Sequence, residues 1–124
     1  MISYLQLELG GVKRGLKFNM MTCELLEEIT GQDPLQQLGV VKDRNFKELK
    51  GVVFDIFYAA LLSNCKSRKE EPDFSKEQAQ EWFDFDLHPV YLYKIIQAFN
   101  SVHSEFSANG EGGKESEPVT FPGA

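Results

Sequence analysis

The stretch from Val52 to Leu62 is apolar at every position except Asp55. It falls short of the ~18 residues that cross a bilayer, and it suits a helix buried in the middle of a domain. Asn45 and Glu48 stand ahead of it at capping-box spacing, so a long helix is predicted over 46–66. Phe46, Leu49, Val53, Ile56 and Ala60 step along it by three and four, and Phe54, Tyr58, Leu61 and Cys65 form a second stripe elsewhere on its surface. Apolar surface on more than one side implies either a central helix or one that also meets another subunit. The β-branched and aromatic content would also suit a strand, but the length favours a helix.

The other segments must be arranged around this helix. Leu5, Leu7 and Leu9 alternate with Gln6 and Glu8, which is strand period, and Gly10-Gly11 follows as a tight-turn dipeptide. Val12, Leu16 and Phe18 then share a face opposite Lys13 and Lys17. Arg14 breaks that face and Gly15 is a candidate bulge; the alternative is a wider loop from Gly10 to Gly15. A lone hairpin is marginal in water, so this one must pack on helices or pair with another chain. Asn19 is placed to cap a helix over 20–30 with Met21, Leu25, Leu26 and Ile29 inward, and Gly31 is placed to end it. Asp33-Pro34 reads as the start of a short helical turn through Leu38.

Ser75 and Gln78 form a second capping-box pattern, opening a helix that carries Trp82 and Phe83. Asp84 to Pro89 reads as a turn, and Leu92, Ile95, Phe99, Val102 and Phe106 define a last helix over 90–106. From Ser107 onward Gly, Pro and charged residues dominate, and a disordered tail is expected, with one apolar pulse at Val119-Thr120-Phe121. The domain boundaries are thus 1–106 for a hairpin plus helices and 107–124 for the tail. The fold class is α+β, an N-terminal β-hairpin packed on a mainly α-helical bundle.

Composition narrows the function. Thirteen Lys and Arg against nineteen Asp and Glu leave a net charge of -6, which disfavours binding to nucleic acid. No basic start followed by an apolar block marks a signal peptide, so a cytoplasmic protein without a membrane segment is expected. Cys23 and Cys65 are expected as small buried thiols of a reducing compartment rather than a disulfide. His88 and His103 belong to no metal-ligand pattern, no glycine-rich loop joins a strand to a helix, and the carboxylate runs at Glu27-Glu28, Glu70-Glu71 and Asp84-Asp86 read as solvated surfaces. No catalytic site, metal or cofactor is expected.

What the sequence offers instead is aromatic area. Trp82, Phe83 and Phe85 can fill the seam between the last two helices; alternatively Phe85, Tyr91 and Tyr93 line a groove for a partner helix. The candidate protein-binding residues are Phe54, Tyr58, Trp82, Phe85, Tyr91 and Tyr93.

The order of the segments resembles a known family. Leu7-Glu8-Leu9-Gly10-Gly11, then Gly15 to Met20, then Leu25-Leu26-Glu27-Glu28-Ile29-Thr30-Gly31, then Glu81-Trp82-Phe83 before a Leu/Ile-rich helix, is similar to the tail assembly chaperones of long-tailed bacteriophages and prophages. The likeness spans about residues 2–106. It implies a non-enzymatic protein that coats the helical tape measure protein, gives way as tail tube subunits polymerise, and self-associates as a homo-oligomer. The alternative reading is a small acidic inhibitor or antitoxin-like module that masks a basic partner surface.

Overall fold

The computed structural model describes residues 3–33 and 45–110. Strand β1 (Tyr4–Leu9) pairs antiparallel with β2 (Val12–Lys17), Leu9 opposite Val12 and Tyr4 opposite Lys17. Four α-helices follow among the described residues: α1 (Met20–Thr30), α2 (Phe46–Ser67), α3 (Lys76–Glu81) and α4 (Val90–Gly110). A π-helical turn, Trp82–Asp86, extends α3. The chain is α+β, with the hairpin lying on the helical bundle as the patterning predicts. No described helix is long and apolar enough to cross a membrane.

Gly10 and Gly11 both take positive φ, +62° and +80°, which is what a two-residue hairpin of matching twist requires. The turn is therefore the narrow one and not a loop to Gly15. Nor is Gly15 a bulge: it pairs directly with Gln6. Its missing side chain instead makes room for Tyr4, whose Oη would lie 2.6 Å from a Cβ there.

The local signals for helix ends hold. Asn19 caps α1 with a full capping box to Thr22, and Gly31 closes it in the left-handed conformation. Ser75 and Gln78 form the expected box on α3. At α2 only half of the expected box forms: the Asn45 side chain accepts from the Glu48 N–H at 2.9 Å. The helical turn predicted at 33–38 and the tail beyond Gly110 lie outside the described residues. Helix α4 runs on to Gly110, four residues past the boundary expected at 106.

Helix α2 is the centre of the molecule. It lies against α1, β2, α3 and α4. Members of both its stripes are buried, Val53, Ile56 and Ala60 from one and Phe54 and Leu61 from the other, with Phe57 and Ala59 between them. Of the two sequence alternatives, a central helix accounts for this surface. The core is completed by Leu7, Leu9, Leu16 and Phe18 from the hairpin, Leu25 and Leu26 from α1, and Leu92, Ile95, Ala98 and Phe99 from α4. Both cysteines are free and half-buried, and burial pushes each thiol above its ordinary pKa.

A polar knot joins three elements inside this core. The Thr22 hydroxyl, fully buried, donates to the Lys17 carbonyl at 2.5 Å and accepts from the Asn19 N–H at 3.0 Å. Asn19 Oδ1 accepts from the Thr22 N–H at 3.1 Å and from the buried Ser63 hydroxyl at 2.8 Å. The end of β2, the start of α1 and the middle of α2 are thus held by satisfied polar groups.

Trp82 is the other fastening point of the hairpin. A Cβ at Gly10 would sit 3.0 Å from its Cζ2 and Nε1. Two alanine substitutions separate packing from strain. Gly11→Ala meets no neighbouring atom and should lose about 1 kcal/mol, the cost of positive φ alone. Gly10→Ala carries the same strain and must also displace the indole, so its urea midpoint should fall further.

Candidate functional site

Aromatic residues of α2, of the segment before α3 and of the π-turn make two clusters, and their geometry decides which rings face inward. Phe54 stacks on Tyr58 at 6.0 Å with ring planes 9° apart, and meets Phe83 edge-on at 5.5 Å. Phe57 and Phe83 lie 5.2 Å apart. These contacts lock α2 to the π-turn.

The second cluster encloses Arg14. On the strand pattern Arg14 interrupts an apolar face, and it does point to the core side, opposite Leu7. Its side chain is only 14% exposed. The guanidinium carbon sits 4.6 Å from the Trp82 ring centre and 5.5 Å from that of Phe74. Nη1 bonds Asp73 Oδ1 at 2.6 Å, and Nε donates to the Leu9 carbonyl at 3.2 Å. The bond from Arg14 holds the Asp73 carboxyl below its ordinary pKa.

The six sequence-selected aromatics therefore part company. Phe54 and Trp82 are buried, and Tyr58 and Tyr91 are half-buried against the core, Tyr91 with the Lys94 ammonium 5.4 Å from its ring. Phe85 is 80% exposed and Tyr93 is 65% exposed. Trp82 and Phe83 are buried, but against the hairpin turn and α2 rather than in a seam between the last two helices, and Phe85 is not buried at all.

The π-turn explains the difference. The Leu87 N–H donates to the Trp82 carbonyl five residues back, at 3.0 Å. Where a plain turn was expected over 84–89, the helix runs on to Asp86 with one wide coil. That coil keeps Trp82 and Phe83 inward and turns Phe85 out. Lys50 braces it from α2, its Nζ 2.7 Å from Asp84 Oδ1, and Gln80 bonds the same carboxylate at 3.1 Å.

On α4, Val90 and Tyr93 stand out on the face opposite Leu92, Ile95 and Phe99. Further apolar side chains project at Met20 and Phe46, in the first turns of α1 and α2. Phe46, expected as the first member of the α2 stripe, is thus exposed: each of the two falls at the very start of a helix, where the apolar stripe has nothing yet to pack on.

Two polar concavities flank the aromatic clusters. One, of about 500 Å³, is lined by Thr30, Glu48, Val52, Asp55, Lys76 and Gln80 among others. Asp55 is the single charge in the apolar run, and its burial raises the carboxyl pKa, with Lys76 opposing. A pKa raised in the folded state means that Asp55 favours folding most when protonated. That benefit is lost as pH rises through the folded-state value. Asp55→Asn should therefore raise Tm at neutral pH, with the gain shrinking toward acid pH; a thermal melt series over pH checks this. The other concavity, of about 420 Å³, lies beside the hairpin and includes Tyr4, Arg14, Cys65 and Arg68. Its charges are largely paired, Arg14 with Asp73 and Arg68 with Glu70.

Among the described residues no group of three or more His, Cys, Asp or Glu side chains could hold a metal ion. The exposed rings are Phe85, on a π-turn braced by Lys50, and Tyr93 on α4. No family model matches the chain, and no curated protein or solved structure is significantly similar to it.

Proposed function

We propose that this protein is a tail assembly chaperone of the long-tailed phage type, which binds amphipathic helices of a tape measure protein in the cytoplasm of a bacterial host and releases them as the tail tube assembles. The reading is supported by the order of sequence segments and by one structural observation. The domain closes its core with rings to spare, and the surplus stands in solvent: Phe85 on the π-turn held by Lys50 and Asp84, and Tyr93 on α4. Large rigid aromatics on a firm support suit capture of an apolar helix face, because little side-chain entropy is lost on binding. The acidic balance of the chain keeps such a complex soluble.

The test is capture of a long amphipathic segment of a tape measure protein. The full chain should hold the segment in solution, and the doubly substituted protein, Phe85→Ser with Tyr93→Ser, should lose at least about tenfold in affinity, corresponding to about 1.4 kcal/mol. Because both side chains are exposed, the unfolding free energy should change by no more than about 0.5 kcal/mol. Equal binding by the substituted protein would overturn the reading. So would an association rate that falls steeply with salt, which belongs to an acidic inhibitor of a basic partner.

A further inference from the structure

A two-stranded sheet ends in unpaired backbone along both long edges, and the register shows which groups face out. The Phe18 N–H donates to the Ser3 carbonyl at 2.9 Å, and the pairs Leu5–Leu16, Leu7–Arg14 and Leu9–Val12 follow in step. These alternate pairs exchange the ladder hydrogen bonds. Tyr4, Gln6 and Glu8 therefore turn their backbone N–H and C=O away from β2, and Lys13, Gly15 and Lys17 turn theirs away from β1. No described residue bonds the outward backbone of β1. The β2 edge is engaged at one end, where the Lys17 carbonyl accepts from Thr22.

Open edges are normally defended by lysine, proline or a bulge. Strand β2 carries Lys13, Arg14 and Lys17. Strand β1, Tyr-Leu-Gln-Leu-Glu-Leu, has no proline, no bulge and one charge, Glu8. We propose that β1 pairs antiparallel with β1 of a second copy of this chain, giving a continuous four-stranded sheet across a two-fold axis.

Parity narrows the register. Outward-facing residues of the two copies must meet, and the leucine faces must stay on one side of the sheet. Centring on Gln6 is the register that pairs all three outward-facing residues of β1: Gln6 opposite Gln6 and Tyr4 opposite Glu8, with Leu5 opposite Leu7 between them. The row across the solvent face then reads Lys13, Glu8, Tyr4 of the second copy and Lys17 of the second copy. Each Glu8 lies between its own Lys13 and a neutral ring, with a cation beyond, so no like charges adjoin. Pairing of two β2 edges centred on Gly15 would instead set Lys13 against Lys17 twice. Charge thus selects the β1 edge. On the inner side, Leu5, only half-buried in the single chain, gains Leu7 of the second copy as a neighbour.

Sedimentation equilibrium of the full chain over a dilution series should show a species of twice 14.1 kDa at the concentrated end. Gln6→Pro removes an N–H that points outward and none that the hairpin uses, so the hairpin persists while the incoming strand is blocked. It should abolish the dimer with an unchanged circular dichroism spectrum. Gln6→Lys, which sets two ammonium groups across the axis, should weaken the dimer several-fold. A readout without substitution is amide exchange: the Tyr4, Gln6 and Glu8 N–H groups should be protected in the dimer and exchange freely on dilution. This measurement decides the matter if Gln6→Pro fails to fold. A wild-type protein that is monomeric throughout overturns the proposal. A dimer that survives Gln6→Pro, or one in which those three amides exchange freely, does so as well. The Phe85→Ser, Tyr93→Ser protein should remain dimeric, so loss of the chaperone reading and loss of this dimer are distinguishable.

Discussion

Trp82→Ala should lower the stability of the domain by about 3–5 kcal/mol, a large share of the roughly 5–15 kcal/mol that holds a domain of this size together. The indole fills the space over Gly10, touches Phe74 at 5.7 Å and faces the Arg14 guanidinium at 4.6 Å. Its removal empties a site bounded by a turn with no side chains of its own, so collapse around the void is limited. Arg14 then loses its better aromatic face, worth about 1–2 kcal/mol for a cation sheltered from water, and that loss is part of the total. Urea unfolding followed by circular dichroism measures the drop. A Trp82 that served partner contact alone would give the opposite pattern: an unfolding free energy within about 0.5 kcal/mol of wild type and lost capture of the helical segment. The burial of Trp82 assigns it to the first pattern.

The second large effect is expected at Thr22. Thr22→Val keeps the shape and removes the hydroxyl. The Lys17 carbonyl then loses its donor and the Asn19 N–H its acceptor, both in an enclosed place. Stranded buried polar groups cost about 1–3 kcal/mol each, and partial access to water sets the expected total at about 2–3 kcal/mol. Ser63→Ala is the matched comparison. Asn19 Oδ1 keeps its bond from the Thr22 N–H, so about 1 kcal/mol should be lost. A Thr22→Val protein as stable as Ser63→Ala would mean that water reaches the knot and replaces the hydroxyl.

These two sites also mark where sequence reading succeeds and where it stops. Asn19, Gly31, Asn45 and Ser75 announce helix ends because capping is a local matter of three or four residues. The Gly10-Gly11 turn is legible for the same reason. The partnership of Ser63 with Asn19 spans 44 positions and leaves no periodic trace. Arg14 looks like a fault in a strand until Trp82, Phe74 and Asp73 are brought around it from a distant segment. The division of the aromatics failed to show for a different reason. A spacing of 3.6 assigns helix faces only while the coil is regular, and the π-turn at Trp82–Asp86 adds a residue to one coil. Phe85 is therefore exposed where a seam-filling alternative would have buried it, and Phe54 is enclosed although its stripe could equally have faced a partner.

Trp82 is the only tryptophan of the chain. Its indole rests on the hairpin turn and under a guanidinium, so its fluorescence emission reports on the seating of that hairpin. Lifting the two strands off the helices would expose the ring to water and shift its emission to the red, while the helical signal in the far ultraviolet stayed in place. The molecule thus carries a built-in optical gauge, readable in a stopped-flow cell without any dye, for whether its two parts separate before the helices melt.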